Sequence, residues 1–384
     1  MDAQASSMQL LTGRPVASSG LASQGVQMHG YAGMESERRV DPSALHRFVE
    51  ELFSKAGVSA DDATLMADIV LHTDARGVYS HGTAAVAGYI DKLLDGQINP
   101  SAKPRVVGDR GGSLVVDGDG GLGHIACVYG MRQAILRARQ TGVALAAVGH
   151  SNHCGAMSYY PTLAMAEGMI GIAGTNALPC MAPWHGRDRI VPISPIGIGI
   201  PSRAEIPILL DISFGEVARG KIVVHYQKGL PLPEGWAFDS EGRPTTDAAA
   251  AVKGLNQPAG GPKGVGLGLV VGMLSALLSG ADYAGELGSL DTGPNPGRDG
   301  QIMMAIDISA YQEPTTVTGR VDKIVREFRN SRPIEGVDRV YLPGELEIET
   351  EQRFRREGIP VSDVTISALN RVARRLNVDA EWLH

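Results

Sequence analysis

The chain has 384 residues, 43% of them hydrophobic. That suits two domains, or one large domain with an appendage, and allows a sizeable core. A formal net charge of −7, of both signs and without a basic run, argues against a nucleic-acid partner. Three widely spaced cysteines, Cys127, Cys154 and Cys180, form no CxxC pair, which argues against a disulfide framework or a thiolate zinc site.

Residues 1–38 are rich in Ser, Gly, Gln and Ala, have no sustained period, and read as a flexible tail. No basic segment followed by an apolar one opens the chain, so a cytoplasmic protein is expected. Asp41 then Pro42 predicts a capped helix start, with Leu45, Phe48, Val49, Leu52 and Phe53 at helical spacing and Gly57 at its end. Ser59 with Asp62 opens a second helix reaching about Thr73, and residues 84–94 suit a third.

The character then changes. Residues 113–117 read as a strand, 124–140 as a helix stopped by Gly142, 143–148 and 169–173 as buried strands, and 161–167 as a helix between them. Short apolar runs broken by Pro and Gly over 190–212 suit strands and turns. Residues 265–278 are apolar all round and predict a buried helix, short of the roughly 20 residues that span a bilayer. Residues 303–308 read as a strand, and helices return over 317–330 and 364–376. The outline is a discontinuous helical domain (39–115 and 312–384) around a central α/β domain (116–311).

Gly118-Asp-Gly120-Gly-Leu-Gly123 matches G-x-G-x-x-G between a strand and a helix. A dinucleotide fingerprint also needs an acidic residue about 20 positions on. None occurs between Asp119 and Glu167, so the run reads as a glycine turn and the fold as not Rossmann.

Four constellations carry possible chemistry. His81, between Ser80 and Gly82, suits proton exchange, though on these residues alone a helix-terminal structural histidine is the favoured reading. His150 and His153 are three apart, but Ser, Asn and Gly around them favour a loop, and no carboxylate completes a metal site. Cys154 beside His153 is a weaker candidate nucleophile. Asp211 ends an apolar strand and needs a partner if buried. Gly260-Gly-Pro-Lys263-Gly264 opens a helix in the way that suits a phosphate.

In this order the segments resemble the malate/L-lactate dehydrogenase-like family. The resemblance rests on Arg76-Gly-Val-Tyr-Ser-His-Gly82, Ser151-Asn-His-Cys-Gly155, Thr175-Asn176, Ala182-Pro-Trp-His-Gly186, Ala218-Arg-Gly-Lys221, Pro233-Glu-Gly-Trp236, Gly242-Arg-Pro-Thr-Thr-Asp247, Gly261-Pro-Lys-Gly264 and Leu342-Pro-Gly-Glu345. It implies a non-Rossmann cofactor domain with a largely antiparallel mixed sheet, clasped by a helical domain from both chain ends. It further implies a homodimer, NAD(H) or NADP(H) as cofactor, a small-molecule substrate, and no metal. By resemblance, His81 is the acid/base, Asp211 orients it, and His153 lies by the substrate. Ser80, Tyr89 and Arg298 are the implied substrate contacts. Asn176, Ala177, Asp211, Ile212, Ser213, Lys263, Gly264, Gly344, Glu345 and Leu346 are the implied cofactor contacts.

The chain departs from the family at one telling place. Relatives read Ser-His-Gly-x-x-Arg, with the arginine on the substrate carboxylate; here the position is Ala85. Asp211-Ile-Ser-Phe-Gly215 and Ser194-Pro195 also replace Asp-Met-Ala-Thr-Ser and Asn-Pro. The expected reaction is hydride transfer between a nicotinamide and a 2-hydroxy or 2-oxo acid. Ala85 points alternatively to a larger carbonyl or cyclic ketimine substrate, unless Arg298 or Arg76 replaces the missing charge. A cofactor-binding protein without turnover is the other alternative, and retention of His81, Asp211 and His153 argues against it.

Overall fold

The computed structural model describes residues 37–290 and 292–380. Most of the expected N-terminal tail lies outside the described residues. Its last residue, Arg38, belongs to the fold: Arg38–Val40 pairs antiparallel with Ile359–Val361, near the other end of the chain.

Helix α1 (Pro42–Lys55) starts where the sequence places it, with the Asp41 carboxylate accepting the Ala44 N–H at 2.8 Å. Ser59 caps α2 (Ala60–Ala75) through the Asp62 N–H, and α3 (Thr83–Leu94) follows. Their buried faces form one core with residues from the far end. Leu45, Phe53, Val70 and Ile90 share it with Phe354, Leu369 and Val372.

A seven-stranded sheet holds the centre. Its order is Arg105–Arg110, Ser113–Asp117, Val143–Ser151, Asp299–Ile306, Ile170–Thr175, Ile196–Ile200 and Ile208–Ile212. Neighbours are antiparallel except Ser113–Asp117 with Val143–Ser151, which run parallel through α4 (Gly123–Thr141). The sheet is therefore mixed and largely antiparallel, as expected. Its central strand, Asp299–Ile306, arrives late in sequence and slots between two early strands.

Strand alternation covers both faces of that strand. Met303 and Ala305 share a core with α4 and α5 (Tyr159–Ala166). After the shorter α6 (Arg219–Gln227) and α7 (Ala248–Lys253), α8 (Pro262–Ser279) lies on the opposite face, where a Cβ on Gly300 would meet Ser279 Oγ at 2.4 Å. Helices α9 (Pro314–Arg329), α10 (Glu345–Glu357) and α11 (Asp363–Leu376) complete the chain.

Helix α8 corrects the expectation of an all-buried helix. Its small residues, Gly264, Gly268, Gly272, Ser275 and Ala276, face the protein. Most of its large ones, including Leu267, Val270, Leu274 and Leu277, are exposed, while Val271 is buried with the small ones. Close approach to the protein selects the small side, because a Cβ on Gly268 would sit 2.6 Å from Pro192 O. By length and composition alone α8 is apolar enough to cross a membrane; a third of it is buried against this chain.

Candidate active site

Between the two cores lies a cluster of rings. The turn Tyr79–His81 follows α2 and brings His81 against His153, with ring centroids 5.6 Å apart. His153 comes from the loop after Val143–Ser151. Tyr89, on α3, places its hydroxyl 2.7 Å from His153 Nδ1. His124, in the first turn of α4, packs edge-on against Tyr89 at 5.1 Å and His153 at 6.4 Å. Sequence spacing does not signal His124 as a member of the group.

The geometry fixes one proton. The Gly155 backbone N–H donates to His153 Nδ1 at 3.3 Å. A backbone N–H only donates, so Nδ1 carries the lone pair and the neutral ring bears its proton on Nε2. Tyr89 then donates to the same Nδ1, as a phenol whose pKa burial raises. Burial, followed by the neighbouring His81 and His124, holds the His153 pKa well below the usual histidine value. Burial also lowers His81, and it pushes His124 down to about 3. The cluster is thus uncharged at neutral pH, and among the described residues neither ring nitrogen of His124 has a hydrogen-bond partner.

The His81 turn rests on Asp74. One Asp74 oxygen accepts the Thr83 N–H at 2.9 Å at the start of α3, and the other has no partner among the described residues. Gly82 crosses directly above it, where a Cβ would lie 1.8 Å from Asp74 Oδ1. Any larger residue there would push His81 away. Asp74 is 1% exposed, and burial raises its pKa to about 7.

The carboxylate expected to orient His81 is placed differently. Asp211 accepts the Ser158 N–H at 2.7 Å, and no hydrogen bond joins it to His81. Burial lifts its pKa to about 6, with a smaller upward push from Glu347. The side chain bonded to His81 Nδ1 is instead its neighbour Ser80, at 2.7 Å. A second acid, Asp299, stands by the cluster unforeseen. It is 5% exposed, its Oδ2 has no partner among the described residues, and burial raises its pKa to about 7.

The residues proposed as substitutes for the missing arginine are engaged elsewhere. Arg76 pairs with Glu351 at 3.0 Å, and Arg298, largely exposed, meets Asp282 at 3.5 Å. Cys154 is buried, so a nucleophile's access is lacking. His150 turns away from His153 to Asp117, 2.9 Å from its Nδ1. The glycine-rich run is a clasp: Gly118 and Gly120 donate to Gly149 O and His150 O, so neither amide is left for a phosphate.

The other sequence candidates gather at the strand Ile208–Ile212. Gly344, at φ +87°, opens α10 against it: the Leu209 N–H donates to Pro343 O, and a Gly344 Cβ would lie 2.7 Å from Leu209 O. Past the strand end, Phe214 O accepts the Ala259 N–H and lies 2.8 Å from the place of a Gly264 Cβ, at the start of α8. Two helix N-termini thus abut one strand, with Ile212 and Lys263 exposed and Asp211 and Ser213 half-buried beside them. Leu346 is half-buried in the first turn of α10. Glu345 is committed to Arg329 and the Leu342 N–H. Asn176 pins Gly300 and Asp282, with Ala177 next in the chain.

Against known proteins, the profile described as malate/L-lactate dehydrogenase matches residues 40–370. The chain is 33% identical over 352 residues to the malate dehydrogenase of Pyrococcus abyssi, covering 90% of this chain and 96% of that one. It is 32% identical over 320 residues to the (2R)-3-sulfolactate dehydrogenase (NADP(+)) of Chromohalobacter salexigens, covering 83% and 92%. The solved sulfolactate dehydrogenase of Methanocaldococcus jannaschii superposes with a TM-score of 0.83 at 33% identity, covering 90% and 99%.

The Asp74 environment sets a pH signature. A carboxyl raised from 3.8 to about 7 favours the fold at low pH and loses that advantage as pH rises to about 7. Asp74→Asn keeps an acceptor for Thr83 and cannot ionise. Its stability relative to wild type, from urea unfolding, should therefore improve between pH 4.5 and pH 8 by about 1–3 kcal/mol, because a tenfold change in proton affinity is worth roughly 1.4 kcal/mol. A difference that does not change with pH would contradict this.

Proposed function

The chain belongs to the malate/L-lactate dehydrogenase family, and from that premise we propose that it is an NAD(P)-dependent dehydrogenase of small 2-hydroxy acids, run in either direction. The observation that carries the reading is the buried, uncharged group of His81, His153 and Tyr89, with one tautomer fixed by Gly155. The half-divided architecture is part of the proposal: the two-ended helical unit carries His81 and Tyr89, and the sheet unit holds the cofactor.

The residues present fit a dinucleotide. Gly264 and Gly344 allow close backbone approach, the first turns of α8 and α10 carry the positive ends of their helix dipoles, and Lys263 is an exposed cation. Lys263, Gly264 and Gly344 would hold phosphate, and Ile212 and Ser213 would flank the sugar and ring. When bound, the nicotinamide supplies the hydride acceptor for oxidation or the donor for reduction.

His81 takes the proton of the substrate hydroxyl as C2 loses hydride, and returns it in the reverse direction. A neutral His81 is ready for the first task, and burial keeps it so. His153 donates its Nε2 hydrogen to the substrate oxygen, held in place by Tyr89 and Gly155. Asp211 supports the Ser158 turn beside the cofactor face instead of touching His81.

The protein is further proposed to be a homodimer through α8. A continuous face of Leu267, Val270, Met273, Leu274, Leu277 and Leu278, each 39–62% exposed, is unusual on a monomer and suits a second copy of itself. A cytoplasmic location is part of the same reading.

Titration with NADH and NADPH, followed by nicotinamide fluorescence, should saturate for at least one of them. Lys263→Ala should weaken the fit about 10-fold, most for NADPH if Lys263 meets its extra phosphate. No saturation with either nucleotide up to millimolar concentration would sink the proposal. His81→Ala should lower kcat roughly 10²–10⁴-fold with nucleotide affinity unchanged. Near-normal kcat there, with a loss in His153→Ala, would move the proton transfer to His153. In sedimentation experiments, wild type should run as a dimer and Leu274→Arg with Leu277→Arg as a monomer; a monomeric wild type refutes the α8 interface.

A further inference from the structure

Lys92 lies in the last turn of α3, half-buried. Among the described residues its ammonium has neither a hydrogen bond nor an ion pair. Its neighbour Asp91 is taken by Arg371 and Arg375 of α11, and Asp95 by Arg375. A half-buried ammonium without a protein counter-ion is a ready partner for an anionic ligand.

Helix geometry says where that charge lies. Positions 85, 89 and 92 fall within about 60° of one another around a helix. They form one stripe: Ala85, then Tyr89 with its hydroxyl on His153, then Lys92. Helical side chains lean towards the N-terminus. A long lysine chain therefore leans back over Tyr89 towards Ala85. Two groups of the cluster already respond to its charge. After burial and the two other histidines, Lys92 disfavours a proton on His153, and it favours ionisation of Asp299. Arg76 and Arg298, the other nearby cations, are paired.

We propose that Lys92 is the specificity-determining cation of the site, binding the carboxylate of a small acid from two turns further along α3 than Ala85. The proposal rests on the dehydrogenase reading above and sharpens its substrate class. A single ammonium at the end of a flexible chain makes a point contact, so the site takes small 2-oxo and 2-hydroxy acids without a two-pronged clamp. The alternative of a larger carbonyl or cyclic ketimine substrate, drawn from Ala85, is then replaced: the charge has moved along the helix and has not been lost.

The test compares wild type with Lys92→Met, Lys92→Gln and Lys92→Arg. Pyruvate and oxaloacetate are the acids, pyruvamide is the neutral counterpart, and oxamate serves as an unreactive acid read by fluorescence of bound NADH or NADPH. Lys92→Met and Lys92→Gln should raise KM for both acids, and Kd for oxamate, by about 10- to 100-fold, the span of one charged hydrogen bond. KM for pyruvamide and the nucleotide Kd should stay within about two-fold, and Lys92→Arg should recover most of the affinity for acids. Unchanged acid affinity in Lys92→Met, or equal weakening of pyruvamide, overturns the assignment. Failure of the dehydrogenase reading looks different: no turnover of any acid by wild type, with oxamate still bound and its affinity still lost in Lys92→Met. Wild type that binds no oxamate overturns the anion site itself.

Discussion

The hydrogen bond from Tyr89 to His153 crosses from one hydrophobic core to the other. Tyr89 is anchored in the core shared by α1, α2, α3 and the C-terminal helices, while His153 follows a strand of the central sheet. Each core folds for its own reason, apolar burial at helical or alternating spacing. The cluster exists only where they meet. Its precision depends on the helical unit and the sheet keeping their distance, and Asp74 under Gly82 enforces that at the His81 turn.

That meeting place is built against stability. Among the described residues, His124 has two unpartnered ring nitrogens, and Asp299 Oδ2, Gln301 Oε1 and Asp74 Oδ1 are buried without partners. Each such atom costs roughly 1–3 kcal/mol when nothing satisfies it. So many in one volume is hard to explain by packing, which has simpler solutions with apolar side chains. A small ligand that carries both a hydroxyl donor and a carboxylate acceptor would pair with an oxygen of this group and with the N–H of His124. Desolvation also sets the charge states: it keeps the histidines neutral and the acids near neutral pH, the range in which proton exchange is useful.

The opposite side of the sheet works by closeness rather than burial. Glycines let α8 and α10 bring their first turns against the strand Ile208–Ile212 and the residues just past it. The same small residues that seat α8 turn its large side chains outward. One sequence feature therefore has two consequences, a backbone cradle at the N-terminus and an apolar outer face along the length.

Local signals in the sequence determined much of this. Asp41, Ser59, Gly57 and Gly142 mark helix ends through their own caps and dihedrals, and the ordered motifs point to the family without reference to the fold. They also named His81 and His153, because glycine and small polar residues around a histidine leave a local trace. Tertiary structure decided the rest. Asp211 turned to Ser158 rather than to His81, Arg76 to Glu351 some 275 residues away, and α8 outward instead of inward. His124, Asp299 and Lys92 joined the site with no local mark at all. The physical reason is common to them: a cap or a turn is settled within a few residues of backbone, whereas the partner of a buried charge is settled by which distant segments pack beside it, and no short window of sequence contains that information.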